Sequence, residues 1–166
     1  MELLTTIHGS RLYGTSHSSS DYDLYTVVDE GKTIQTIDAL DDRTVVNIHD
    51  FIKHVNKGVP QALEALWSPL KTVDESWEAF FNGMHPDFGR VFDTYSKTIY
   101  NFYLKDTDKH RLHAMRLSLE LRSFADNGKF NPVLNAGEYL VLRKWAETEE
   151  ATKKFINWTS PVEVWQ

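Results

Sequence analysis

The apolar residues of this 166-residue chain change their spacing near residue 47, and this change constrains the fold more than any other feature. Upstream of it, short β-branched segments show the alternation of strands, with Asp21, Asp23 and Tyr25 on one face of the clearest example. Downstream of it, apolar residues recur at helical spacing. Because strands come first and helices follow, we predict an α+β fold with a small sheet and a mostly helical C-terminal part.

The predicted strands span 3–7, 21–28, 32–37 and 43–48. Helices are predicted over 47–58, 59–67 and 74–83, over 88–127 with an interruption near 105–109 as an alternative, and over 135–158. The expected N-caps are Asn47, Asp74 and Asn135, and the expected helix ends are Gly58, Gly83 and Gly128. The chain shows no repeat or linker, so we expect a single domain over 1–166, sheet-rich over 1–50 and helical over 51–166.

Composition and charge narrow the functional classes. The chain has no cysteine, which excludes disulfides, thiolate metal sites and cysteine nucleophiles and fits a reducing cytoplasm. No apolar run approaches the roughly 20 residues that span a bilayer, and the N-terminus lacks the features of a signal peptide. The net charge of −6 disfavours non-specific binding to nucleic acid. We therefore expect a cytoplasmic protein (in the host cytoplasm if phage-encoded) with no membrane partner.

The segment IHGSRLYGTSHSSSDYDLYTVV, residues 7–28, places two carboxylates at the start of an apolar strand. Residues two apart on a strand point the same way, so Asp21 and Asp23 face a common point with Cα atoms roughly 7 Å apart. Like charges at that distance repel and need a cation or a solvated edge. A hard divalent cation, Mg²⁺ with Mn²⁺ as an alternative, suits the pair because it takes oxygen ligands. For an isolated Asp-x-Asp, a solvated strand start is the competing interpretation.

A small-residue loop precedes this strand. Gly9 lets the backbone approach a phosphate closely, and the loop amides and the Ser10 hydroxyl can donate hydrogen bonds to it. Arg11 is a weaker candidate for a phosphate contact. The loop and the carboxylates together therefore predict a site for a metal-bound nucleoside triphosphate. Apart from His113, the histidines show no metal-ligand spacing, and we assign them no role.

The stretch GSRLYGTSHSSSDYDL resembles the signature of the DNA polymerase beta-type nucleotidyltransferase superfamily, which is a Gly-Ser, a loop and an apolar-flanked Asp-x-Asp. It resembles in particular a stand-alone bacterial and phage-type branch that includes relatives associated with RNA ligases. Two later segments also resemble that branch: KGVPQALEALWSP at 57–69, with Val59 where the family usually has Asn, and KHRLHAMRLSLELRSFADNGKF at 109–130. The resemblance implies a small mixed sheet of the polymerase beta-type kind.

The resemblance also implies a third carboxylate, which in the family binds metal and helps to activate the attacking hydroxyl. Counting back from Lys57 against the family pattern places it at Asp42, with Asp41 as the one-residue alternative and Asp38 as a more distant one. Two Mg²⁺ ions are then expected. The expected catalytic and metal-binding residues are Asp21, Asp23 and Asp42.

Lys109, His113, Arg116 and Glu120 share one stripe of a predicted helix. Spacing alone favours an ordinary solvated face. The resemblance instead implies that the first three face the nucleotide phosphates, where the planar guanidinium of Arg116 can bind two oxygens at once. The expected nucleotide-binding residues are Gly9, Ser10, Arg11, Lys109, His113 and Arg116.

These features together imply a metal-dependent nucleotidyltransferase. It would move a nucleoside monophosphate, with ATP as the expected donor, onto a hydroxyl acceptor and release pyrophosphate. RNA is one candidate acceptor. Two alternatives stay open: an antitoxin-like minimal nucleotidyltransferase that AMPylates a protein partner such as a toxin, and a non-catalytic nucleotide-binding module.

Overall fold

A computed structural model describes residues 1–16, 22–37 and 41–165, with the backbone alone at 36, 37 and 41. In this described part of the chain, the strands are β1 (Glu2–His8), β2 (Tyr22–Val28), β3 (Ile34–Ile37), β4 (Asp41–Asn47) and β5 (Thr72–Val73). They form one sheet in the order β3-β4-β2-β1-β5, and helices dominate from residue 48 onward. The expected α+β class, with a small mixed sheet and a mostly helical C-terminal part, is confirmed.

Parallel and antiparallel pairings together determine where the strand ends meet. Strands β2 and β4 run parallel, whereas β1 runs antiparallel to β2, and the edge strands β3 and β5 pair antiparallel with β4 and β1. The C-terminal end of β1 and the N-terminal ends of β2 and β4 therefore lie side by side at the same end of the sheet. Strand β5 was not predicted, because two residues are too few to show an alternation.

The first helices are α1 (Ser10–Tyr13), α2 (Ile48–Lys57), α3 (Pro60–Leu66), a 3₁₀ turn (Glu75–Trp77) and α4 (Glu78–Asn82). Helix α2 begins at its predicted cap, where the Asn47 side chain accepts the backbone N–H of His49. It ends at Gly58, whose φ of 76° lies in the left-handed region that favours glycine. Phe51 of α2 packs edge-on against Tyr25 of β2, with ring centroids 6.2 Å apart, and this contact joins helix and sheet in the core.

The remaining helices are α5 (Phe88–Leu104), α6 (Asp108–Asn127), α7 (Ala136–Trp145) and α8 (Glu149–Thr159). The alternative interruption near 105–109 is present, with Asp106 at a φ of 54°. Asn135 and Glu138 form the predicted capping box at the start of α7. The prediction of continuous helix over 135–158 is wrong at 146–148, because Thr148 caps a new helix by accepting the N–H of Ala151.

The described chain divides into two compact units. The sheet unit comprises Met1–Pro86 and Asn131–Leu134, and the helical unit comprises Asp87–Phe130 and Asn135–Gln166. Within the sheet unit, the N–H of Leu134 donates to the carbonyl of Tyr13 at 2.8 Å. Within the helical unit, Tyr95 and Ile99 of α5 are fully buried, as is Leu121 of α6. None of the helices in the described residues is both long enough and apolar enough to cross a bilayer.

Candidate functional site

One row across the sheet contains His8, Asp23 and Asp42. It lies at the end of the sheet where β1 ends and where β2 and β4 begin. His8 is the register partner of Asp23 in the β1–β2 pair, and Asp23 is the register partner of Asp42 in the β2–β4 pair. Register partners on neighbouring strands point to the same face, with Cβ atoms about 5 Å apart. The carboxylates of Asp23 and Asp42 are therefore neighbours in space although they are distant in sequence.

One oxygen of the Asp42 carboxylate has no hydrogen-bond partner among the described residues. The residue is half-buried, and its Oδ1 atom is buried without a hydrogen-bond partner in the part of the chain that the structure describes. A buried carboxylate oxygen ordinarily accepts a hydrogen bond or binds a cation, because its desolvation is otherwise uncompensated. Two such charges about 5 Å apart also repel by about 3 kcal/mol at an effective dielectric constant of about 20. The Asp23–Asp42 pair therefore offers a hard cation both negative charge and an oxygen ligand.

The Asp23 carboxylate packs against the backbone of Gly9. A Cβ atom at position 9 would stand 2.1 Å from Asp23 Oδ2, so the carboxylate packs directly on the glycine backbone. Gly9 has a φ of 65° and a ψ of −151°, a conformation that is essentially restricted to glycine. Its carbonyl accepts the N–H groups of Leu12 and Tyr13 at the start of α1. Gly9 is therefore needed both for the turn from β1 into α1 and for the position of Asp23.

We expect Gly9→Ala to destabilise the sheet unit by more than backbone strain alone. An alanine with these backbone angles costs about 1–3 kcal/mol, and its methyl group would also collide with Asp23 Oδ2. Gly31→Ala is the matched control, because Gly31 has a φ of 102° but nothing lies within 4 Å of its added Cβ. Urea unfolding should show a larger loss of unfolding free energy for Gly9→Ala. Equal losses would contradict the close packing of Asp23 on Gly9.

Part of the predicted carboxylate set lies outside the described residues. Asp21 and Asp38 fall in segments that the structure does not describe, so the convergence of Asp21 with Asp23 stays a prediction. Asp42, and not Asp41, is the register partner of Asp23. Among the described residues, which do not include Asp21, no group of three or more His, Asp and Glu side chains could hold a metal ion.

Ser10 and Arg11 lie in α1, the short helix that stands where a loop was predicted. The guanidinium carbon of Arg11 lies 3.8 Å from the ring centroid of Tyr22, an exposed aromatic residue directly before Asp23. Stacking on a tyrosine ring occupies the face of the guanidinium and fixes its orientation. The N–H groups lie in the guanidinium plane and still point outward from its rim. Ser10 and Arg11 therefore lie near the end of β2 that carries Asp23, and their phosphate contacts stay predictions.

In the helical unit, Arg116 takes part in a buried network. Its side chain is 4 % exposed, and its Nη1 donates to Glu120 Oε2 at 2.8 Å. The Tyr95 hydroxyl donates to Glu120 Oε1, also at 2.8 Å. A buried ion pair needs such additional hydrogen bonds to offset the desolvation of its charges. Arg116 therefore belongs to a network that links α6 to α5 through Glu120 and Tyr95, and its phosphate contact stays a prediction.

His113 is half-buried and has a lowered pKa, whereas Lys109 is exposed. Burial lowers the pKa of His113 from 6.5 to about 3, and the nearby charges of Arg116 and Lys109 act in the same direction. The Nε–H of Arg116 is directed at His113 Nδ1 at 3.5 Å. Because Nδ1 then accepts, the imidazole proton is assigned to Nε2. His113 would therefore meet a phosphate as a neutral N–H donor and not as a cation.

The lowered pKa of His113 predicts a loss of stability in acid. Above pH 6.5 the imidazole is neutral in both the folded and the unfolded chain, so it adds no pH dependence. Below that pH the unfolded chain binds a proton that the folded chain refuses, and each pH unit down to about 3 removes up to about 1.4 kcal/mol. His113→Leu should therefore lose about 2 kcal/mol less than the wild type between neutral pH and about pH 5 in urea unfolding. Parallel pH profiles for the two proteins would contradict the burial of a neutral His113.

Sequence reasoning assigned no role to His8, which the register places beside Asp23. The only local signal was its position directly before Gly9, since partners across a sheet are not encoded in local spacing. The predicted site residues of the sheet unit that the structure describes are Gly9, Ser10, Arg11, Asp23 and Asp42, and those of the helical unit are Lys109, His113 and Arg116. No protein-family model matches the chain, and a search of curated proteins finds no match.

Proposed function

We propose that this chain is a metal-dependent nucleotidyltransferase that transfers a nucleoside monophosphate from ATP to a hydroxyl acceptor and releases pyrophosphate. The observation that carries the proposal is the side-by-side register of Asp23 and Asp42, with Asp23 packed on Gly9. The resemblance of the motif around these residues to the polymerase beta-type signature supports the same function. The proposal includes a cytoplasmic location, where ATP and Mg²⁺ are available.

The carboxylate pair fits a divalent cation. Asp23 and the buried Oδ1 of Asp42 would supply oxygen ligands, and Asp21 is proposed as a further carboxylate ligand. Carboxylate oxygens suit Mg²⁺ and Mn²⁺, which retain positions for phosphate oxygens. When bound, two such ions would neutralise charge on the reacting phosphate and lower the pKa of the attacking hydroxyl.

The chain's own residues would position the reactants. The acceptor oxygen bonds to the α-phosphorus as the bond from that phosphorus to its bridging oxygen breaks, pyrophosphate leaves with the electron pair, and the hydroxyl proton passes to solvent. Asp42 is the proposed acceptor-side carboxylate and favours loss of that proton. Gly9 and Ser10 would donate N–H and O–H groups to the phosphates. The protein would form no covalent bond with the substrates in this reaction. The rate would therefore depend on the positioning of the reactants and on electrostatic stabilisation of the transition state.

We retain Lys109, His113 and Arg116 as candidates for further phosphate contacts. Lys109 would contribute a positive charge and His113 a neutral N–H donor, and the guanidinium of Arg116 is proposed as the third contact. These three residues come from the family resemblance and not from the register of the sheet. The assignment of Asp23 and Asp42 is therefore independent of them.

The proposal is tested by incubating the chain with α-labelled ATP, Mg²⁺ and a cell extract as the source of acceptors. We expect label on an acceptor and an equal amount of pyrophosphate, both dependent on a divalent cation. Removal of the label by ribonuclease or by protease distinguishes an RNA acceptor from an AMPylated protein. Nucleotide binding without pyrophosphate release would contradict the proposal and favour the non-catalytic alternative.

A further inference from the structure

His8 is a buried polar residue for which the proposed reaction has so far given no task. Its side chain is 6 % exposed, and it directly precedes Gly9 at the end of β1. It is the register partner of Asp23, so the two side chains extend from the same face with Cβ atoms about 5 Å apart. Gly9 meanwhile contacts Oδ2 of the same carboxylate. The two consecutive residues therefore approach Asp23 from two directions.

Two buried tyrosines restrict the orientation of the His8 ring. Tyr13 of α1 meets the imidazole edge-on at a centroid distance of 5.7 Å, and Tyr25 of β2 lies 5.9 Å away at a tilt of 39°. Tyr13 is 6 % exposed and Tyr25 is 2 % exposed, so neither ring has freedom to move aside. The imidazole is therefore held in place beside Asp23. A side chain that orients its neighbour needs to be fixed in this way.

We infer that His8 is a positioning residue that fixes the orientation of the Asp23 carboxylate for cation binding. An imidazole carries at least one N–H donor in each of its protonation states, and a carboxylate accepts such a donor readily. A ligating carboxylate that is itself hydrogen-bonded binds its metal more tightly, and loss of such a partner typically costs about 10- to 100-fold in affinity. The inference rests on the proposed function, because it takes Asp23 as a metal ligand.

A phenylalanine at position 8 separates this role from simple core packing. It keeps a flat ring between Tyr13 and Tyr25, although a somewhat larger one, and it lacks the donor nitrogen atoms. If His8 served the core alone, an apolar ring that the core accommodates would leave cation binding unchanged, because packing needs no donor nitrogen. The two roles therefore predict opposite results for one substitution.

The test measures Mn²⁺ binding to the full chain without nucleotide. The electron paramagnetic resonance signal of the free Mn²⁺ reports how much of the ion is unbound. We expect His8→Phe to weaken binding about 10- to 100-fold while the chain still unfolds cooperatively. His8→Asn, which keeps a side-chain N–H, should recover part of that loss. His49→Phe is the control on the exposed surface of α2 and should bind as the wild type does.

The outcomes separate this inference from the proposed function. If the wild type and Asp23→Asn bind Mn²⁺ equally, the proposed metal site itself is wrong. If Asp23→Asn loses binding but His8→Phe keeps wild-type affinity, the site stands and the role of His8 is refuted. Should His8→Phe fail to fold, His8→Met provides a second apolar replacement that is flexible enough to fit the same space, and unchanged affinity in that variant refutes the inference equally.

Discussion

Replacing Asp23 by asparagine is expected to slow nucleotidyl transfer at least about 10³-fold, which corresponds to about 4 kcal/mol of lost transition-state stabilisation. Asparagine keeps the size of the side chain but removes the charge that would hold a cation at the transferred phosphate, where a metal contributes several kcal/mol. Asp42→Asn should cause a loss of similar size, because Asp42 is the register partner of Asp23. The double variant should be no slower than the worse single variant, since residues that act as one unit are not additive.

Pyrophosphate release under saturating ATP and Mg²⁺ measures this effect. Asp93→Asn is the matched control, because the Asp93 carboxylate is 64 % exposed and pairs with Lys97 on the surface of α5. Such a pair contributes little, so the control should keep its rate within about twofold. A wild-type rate in Asp23→Asn, with the fold intact by circular dichroism, would remove Asp23 from the reaction.

Replacing Glu120 by alanine is expected to destabilise the chain by about 3–5 kcal/mol, because it leaves a buried guanidinium without its carboxylate partner. Arg116 and Glu120 are 4 % and 3 % exposed, so solvent cannot take the place of the lost charge. The hydroxyl of Tyr95 would lose its acceptor in the same variant. Against a total stability of about 5–15 kcal/mol for an ordinary domain, this is a large fraction.

Urea unfolding measures the loss, and the surface pair at the same helical spacing calibrates it. Asp93→Ala removes the exposed partner of Lys97 and should cost only about 0.3–0.5 kcal/mol. The double variant Arg116→Met/Glu120→Leu should recover part of the stability, since an apolar pair replaces two buried charges but leaves the Tyr95 hydroxyl without its acceptor. A loss of less than about 1 kcal/mol for Glu120→Ala would contradict the buried pair. A stable but inactive double variant would support a phosphate contact by Arg116.

Local sequence signals predicted the elements well. The side chain of Asn47 and the Asn135–Glu138 pair cap their helices as expected, because capping involves residues only a few positions apart. The break at Thr148 was missed although it also depends on a local cap. Apolar spacing continued across it and concealed the new helix start.

The site was predictable only in part, because its geometry depends on contacts between distant segments. The position of Asp42 was reached through family resemblance, and only the parallel register places it beside Asp23. His8 had no such guide, since cross-strand pairing cannot be read from spacing along one strand. Arg116 and Glu120 were expected to share a stripe, but their burial depends on contacts with α5, which the spacing along α6 does not show.

The proposed reaction requires that Asp23 and Asp42 share a divalent cation. The most direct measurement is a crystal structure of the chain with Mn²⁺ and a non-hydrolysable ATP analogue, in which anomalous scattering locates the metal. We expect an ion about 2.1 Å from an oxygen of each carboxylate, with a phosphate of the analogue on the same ion. An ion elsewhere, or a nucleotide bound with Asp42 Oδ1 turned to a protein donor, would contradict it.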